Sequence, residues 1–159
     1  MEILRATSLL GATLTMGFAA GAFALYAHTI MPGLKATDDR TFVAAFQAID
    51  RAIINPWFML TGFLGALAFT AAATALNLGE DVLPWVAAAL VAYVIVFVIT
   101  LVVNVPLNDA LKAAGSADPA GARASFDEGR WAAFNLVRVV LSSGAFICLA
   151  WALVIYDRT

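Results

Sequence analysis

The sequence predicts an all-α protein, a four-transmembrane-helix bundle that forms one integral membrane domain over residues 1–159. Three observations carry this reading. First, 63% of the residues are hydrophobic and 13% charged. Soluble domains average roughly 45–50% and about 25%, so too little polar surface remains to coat a water-soluble globule. Second, residues 6–30, 56–78, 83–105 and 131–156 are each long enough to cross a hydrocarbon core, which takes about 20 apolar residues in helical form. Third, the charges sit between these stretches, Arg138 being the exception. Aromatic rings, which favour the headgroup level, fall near the ends of the stretches: Tyr26, Trp57, Trp85, Trp131, Trp151 and Tyr156.

The first stretch has a possible rival as a signal peptide, since Leu25-Tyr26-Ala27 passes as a cleavage site. Its flank, with one Arg and one Glu, is barely basic, so it is read as a membrane helix. It contains Gly17-Phe18-Ala19-Ala20-Gly21, a spacing that lets helix backbones approach closely in bundle packing or in a homo-oligomer through Gly17 and Gly21. Met31-Pro32 closes it. In the connection at 36–55, Thr37 or Asp38 can cap a helix whose apolar positions Phe42, Ala45, Phe46, Ile49 and Ile53 recur at helical spacing. The second and third membrane helices are joined by a short turn at Gly79-Glu80-Asp81, with Pro84 pre-set for the first turn that follows.

The third membrane helix closes at Val105-Pro106. In the connection at 107–130, Asn108 to Ala114 extends it, the run Gly115 to Gly121 breaks it, and Ser125 with Glu128 forms a capping box that opens the fourth membrane helix. Both long connections then lie on one side of the membrane. That side carries Lys35, Arg40, Arg51, Lys112, Arg123 and Arg130, against Arg5 and Arg158 on the other. The positive-inside rule places the long connections in the cytoplasm and both termini outside, giving little weight to the acidic residues that share the basic side. An internal repeat is also visible. Ala44-Ala45-Phe46-Gln47 matches Ala132-Ala133-Phe134-Asn135, and Met31-Pro32 matches Val105-Pro106. Parallel two-helix repeats would set Gln47 and Arg51 opposite Asn135 and Arg138.

Several chemistries are excluded or weakened. A net charge of −2 gives no basic footprint for nucleic acid. Cys148 is the single Cys and His28 the single His, too few for an internal disulfide, a zinc site or bis-histidine haem ligation. His28 and Met31 share one face of a helix as half of a copper site, without further ligands in evidence. No Ser/His/Asp set, phosphate loop or pair of catalytic carboxylates can be made out.

What remains is a polar set at the end that carries the long connections. It comprises His28, Asn104 with Asn108, Gln47 with Arg51 and Asn55, and Trp131 with Asn135 and Arg138. Polar side chains at membrane depth are expensive unless they pair or line a wet cavity, so together they mark a site. Each also has a structural reading: Arg138 snorkelling to the interface, Asn104 and Asn135 as interhelical glue, His28 as an interfacial histidine, Trp131 as a belt residue.

Tyr26-Ala27-His28 with Met31-Pro32, Phe46-Gln47, Asn104-Val105-Pro106-Leu107-Asn108, and Trp131 followed by Asn135 and Arg138 together resemble the anthrone oxygenase-like family of small four-helix membrane proteins. The resemblance spans nearly the whole chain. It implies a membrane-bound monooxygenase that oxidises an anthrone-type substrate with O₂ and needs no metal and no organic cofactor. The residues suit that chemistry. An anthrone's acidic carbon, once deprotonated, reacts directly with O₂, so the protein must supply a base, oxyanion stabilisation and a dry aromatic slot. His28, whose ordinary pKa is near neutral, is the candidate base. Asn104, Asn135 and Arg138 are candidates to stabilise the oxyanion, and Phe46, Gln47, Asn108 and Trp131 to bind the substrate. The expected partners are a lipophilic small molecule, O₂ and the bilayer. Two other readings stay open: a non-catalytic membrane subunit binding a partner protein or lipid through its polar end, and a metal- or haem-binding membrane redox protein.

Overall fold

The computed structural model describes residues 1–114 and 117–157, and every regular element among them is helical. Gly115, Ser116 and Arg158, which the sequence reading used, lie outside the described residues. Four helices are long and apolar enough to cross a membrane: α1 (Glu2–Lys35), α3 (Pro56–Leu76), α4 (Leu83–Ala113) and α6 (Glu128–Tyr156). Two shorter helices lie in the long connections, α2 (Asp39–Ile53) and α5 (Pro119–Ser125). The chain is a four-helix bundle with a cap of α2 and α5 at one end.

The bundle core includes Leu9, Met16, Ala19, Val86, Tyr93 and Leu149, where α1 packs on α3 and α6, and α6 packs on α4. Ala and Gly positions let these helices approach, which matters where lipid tails supply no hydrophobic drive for association. Leu14, Phe18, Val91, Val102, Val140 and Ile147 are exposed on the outside of the bundle, as a lipid-facing surface requires. Of the pair Gly17 and Gly21, Gly17 faces the Phe146 ring of α6 in the same chain, while Gly21 has open space around it.

Pro32 does not end its helix, contrary to the sequence expectation, while at Pro106 the third membrane helix runs on as its expected extension over Asn108 to Ala114 requires. A proline inside a helix lacks an N–H and its ring strikes the carbonyl four residues back. Here the turn before each proline widens to a π turn, Tyr26–Ile30 and Thr100–Asn104. The Met31 N–H then bonds to the Tyr26 carbonyl, and the Val105 N–H to the Thr100 carbonyl. The extra residue absorbs the clash, and both helices continue, to Lys35 and Ala113. A third π turn, Met59–Phe63, lies in α3. Just beyond it a Cβ on Gly65 would collide with the Leu60 carbonyl oxygen, so the backbone approach there requires glycine. Gly79, with φ of 83°, supplies the left-handed residue between α3 and α4.

The caps also differ in part. Asp38 caps α2, accepting from the Thr41 N–H and hydroxyl; these bonds, the hydroxyl's first, hold its carboxyl below the usual range. The fourth membrane helix is opened by Asp127, which accepts from the Arg130 N–H, while the Ser125 hydroxyl turns back to the Ala122 carbonyl. The Ser125–Glu128 capping box is therefore not formed, because Asp127 occupies the cap position itself. The two connections are stapled together by Arg123, which donates to the Thr37 and Lys35 carbonyls and to Asp39, with its guanidinium 4.4 Å above the Phe42 ring.

The two halves share a helix, a π turn and a proline. The Phe46 and Phe134 stretches do not correspond in space: Phe46 lies in the connection helix α2 and Phe134 in the membrane helix α6. Gln47 and Arg51 accordingly do not stand opposite Asn135 and Arg138. Gln47 donates to the Leu111 carbonyl of α4 at 3.0 Å, and Arg51 is exposed.

Candidate functional site

Where the bundle meets its cap, a second apolar cluster forms from Phe42, Phe46, Leu111, Phe126 and Trp131. Between this cluster and the bundle core lies a cavity of about 220 Å³. Its apolar wall includes Phe23, Phe46, Phe58, Phe63 and Trp131; Tyr26, Asp50, Thr100, Asn108 and Arg138 supply the polar groups. Ile54 and Leu101 also line it and are 62% and 51% exposed. The cavity thus opens on the flank of the bundle where the π turns of α3 and α4 have little contact with each other.

Arg138 sits well inside α6 and is 6% exposed. Its Nη1 donates to the Thr100 hydroxyl at 3.2 Å and its Nη2 to Asn135 Oδ1 at 2.9 Å. The guanidinium carbon is 4.5 Å from the Phe23 ring centre and 5.6 Å from that of Trp131. Nε has no partner, and among the described residues no carboxylate forms an ion pair with Arg138. The side chain does not reach for the headgroups. It lies across the cavity wall with a full positive charge left to share.

The two asparagines serve as glue and more. Asn135 Nδ2 donates to the Phe23 carbonyl of α1 at 3.2 Å, which leaves its Oδ1 to orient Arg138. Asn104 Nδ2 donates to the Trp131 carbonyl at 3.2 Å, joining α4 to α6, and its Oδ1 is buried without a partner. Asn104 supports the wall from behind without lining the cavity.

Trp131 is 3% exposed, so it is a wall of the cavity rather than a belt residue. Its ring centre lies 5.7 Å from that of Tyr26 and 5.9 Å from that of Phe46. The indole N–H donates to Asn108 Oδ1 at 2.7 Å, and Asn108 Nδ2 donates to Asp50 Oδ1 at 2.6 Å. Lys112 completes this chain with an ion pair to Asp50 Oδ2 at 2.8 Å and a second to Asp109 at 2.9 Å.

Of the residues singled out in the sequence, the structure gathers Phe46, Asn108, Trp131 and Arg138 on the cavity and places Asn104 and Asn135 behind them. It does not bring in Gln47, which is tied to Leu111, nor His28. His28 is exposed, shares a 2.6 Å hydrogen bond with the Thr29 hydroxyl and does not line the cavity. It therefore does not stand beside a molecule held in this cavity. The structure adds Tyr26, Asp50 and Thr100. Asp50 was within reach of the sequence. Phe42, Phe46 and Asp50 recur every fourth residue, so the carboxylate stands on the apolar face of α2.

A family model described as anthrone oxygenase matches residues 46–148. The matched stretch contains Phe46, Asp50, Thr100, Asn108, Trp131 and Arg138, and leaves out the turn that carries Tyr26 and His28. No curated protein and no solved structure gives a match.

Proposed function

From the chain's membership of the anthrone oxygenase family, we propose that it oxidises a lipophilic polycyclic phenol of the anthrone type with O₂, using no cofactor, inside the cavity at the capped end of the bundle. The observation that carries this reading is Arg138, a buried guanidinium without a carboxylate partner among the described residues, set in an aromatic wall. A buried charge left uncompensated is costly, and a ligand that becomes anionic compensates it. An anthrone does so when it loses a proton, because the electron pair moves onto its carbonyl oxygen.

Each part then has a task. Phe46 and Trp131 offer flat faces to a flat substrate. Arg138, aimed by Asn135 and Thr100, stabilises the oxyanion in a site that excludes water, where such stabilisation is worth most. The electron-rich anion then reacts with O₂ directly. The opening beside Ile54 and Leu101 gives a lipophilic molecule a route from the bilayer.

The test is turnover by the purified protein in nanodiscs with unsubstituted anthrone, following O₂ uptake and quinone absorbance together. The expected result is one quinone per O₂ consumed, with uptake reduced about 10²-fold or more in Arg138→Met, the scale of losing one oxyanion donor. No O₂ uptake above the background oxidation of anthrone would overturn the oxygenase reading.

A further inference from the structure

We infer that the Asp50 carboxylate is the base that removes the proton from the substrate's acidic carbon, positioned by Asn108 and Lys112; the inference rests on the oxygenase reading above. Among the described residues that line the cavity, Asp50 is the one carboxylate, and no His, Lys or Cys is present. Tyr26 is the other candidate, but a phenol ordinarily titrates near pH 10 and is protonated at neutral pH. Asp50 is 6% exposed and sits on the face of α2 that turns inward with Phe42 and Phe46. The Asn108 amide at 2.6 Å and the Lys112 ammonium at 2.8 Å each engage one carboxylate oxygen. Each oxygen keeps a further lone pair that can accept a proton. The indole of Trp131 is joined to the same chain through Asn108, so the wall that holds the substrate and the group that deprotonates it share one frame.

A carboxylate suffices for removing a proton from carbon when the oxyanion is stabilised elsewhere in the site. Arg138, on the same cavity, supplies that stabilisation. The reaction then balances. Asp50 takes one proton from the methylene carbon, and the electron pair delocalises onto the carbonyl oxygen facing Arg138. The anion passes one electron to O₂, and the resulting radical and superoxide couple to form a C–O bond. The bound peroxide takes the proton back from Asp50. The freed carboxylate removes the remaining C–H proton, a C=O bond forms as the O–O bond breaks, and the departing hydroxide takes that proton as water. A methylene and one O₂ become a carbonyl and one water, and Asp50 ends ionised.

Two variants test this. Asp50→Asn removes the base while keeping its volume, and should lower quinone formation from anthrone about 10²-fold or more, the range of general-base catalysis. Lys112→Gln acts on the carboxylate's basicity. The charged and titratable groups around Asp50 are Tyr26 from α1, Lys112 with its partner Asp109 from α4, and Arg138 from α6. Removing the ammonium takes away a neighbour that favours the carboxylate form, so the acid limb of the kcat/KM profile should move to higher pH. Lys112 is partly exposed, so this variant should fold even where Asp50→Asn does not. A folded Asp50→Asn protein within about threefold of wild type, or a Lys112→Gln profile with an unmoved acid limb, overturns the role of Asp50 and leaves the oxygenase reading standing. A wild-type protein that makes no quinone overturns that reading and the base with it.

Discussion

A guanidinium inside a membrane helix can lower its cost by reaching the headgroups, by pairing with a carboxylate, or by facing a cavity that takes a polar or charged guest. Arg138 faces a cavity: it is buried, hydrogen-bonded to Thr100 and Asn135, and has Nε unpartnered, the arrangement the third course requires. Its replacement should therefore act with opposite signs on stability and on function. Arg138→Met fills similar space without a charge, so unfolding in denaturant should be unchanged or shifted to higher denaturant by about 1–4 kcal/mol, while turnover of anthrone collapses. A variant that loses both would make Arg138 a structural residue. His28 gives the converse case. Exposed and bonded to Thr29, it should tolerate His28→Ala with less than about a 10-fold loss of O₂ uptake, below the range of general-base catalysis. A larger loss would return the base to His28. Arg138 was legible in the sequence because one charge inside an apolar stretch stands out. His28 was chosen for its ordinary titration range, a property of the residue type that says nothing of where the ring lies. Asp50 was passed over because an acidic residue in an amphipathic helix reads as part of the polar face, and only its register with Phe42 and Phe46 shows otherwise.

At the level of elements, hydropathy located all four membrane helices, since bilayer thickness dictates a length that few other segments reach. Their ends were less legible. Met31-Pro32 reads as a stop because proline ordinarily breaks a helix, while the third helix is read as running on past Pro106; at both prolines one extra residue in the preceding turn relieves the clash. That relief depends on backbone geometry, which has no residue signature of its own. The same turns shape the cavity, for Tyr26 and Thr100 open two of them and both line it. In α3 the π turn depends on a missing side chain. Gly65→Ala would drive a Cβ onto the Leu60 carbonyl, so it should destabilise the protein by about 1–3 kcal/mol, the usual scale of backbone strain. Thermal unfolding in detergent measures this. Gly21→Ala, at a position with open space around it, is the matched control and should leave the transition where it was.

For the whole molecule, the lengths of the connections were enough to put both long ones at the same end, because four crossings with one short turn permit no other arrangement. The cavity was not legible, since it arises where α2 folds back against α1, α4 and α6, residues far apart in the chain. Charge gives an expected orientation: the capped end holds Lys35, Arg40, Arg51, Lys112, Arg123 and Arg130, and the other end Arg5 among the described residues. Basic loops resist translocation, so the capped end should face the cytoplasm. Single cysteines can test this in a background where the native thiol is removed by Cys148→Ala. Ala117→Cys reports on the capped end and Asp81→Cys on the turn between α3 and α4, and both positions are exposed. A membrane-impermeant maleimide applied to intact cells should label Asp81→Cys and spare Ala117→Cys, and inside-out vesicles should reverse the pattern. Labelling of both from one face would overturn the four-crossing bundle. Inverted labelling would overturn only the orientation and move the Asp50–Lys112 end of the cavity to the outside, where the pH felt by Lys112 is that of the medium rather than of the cell.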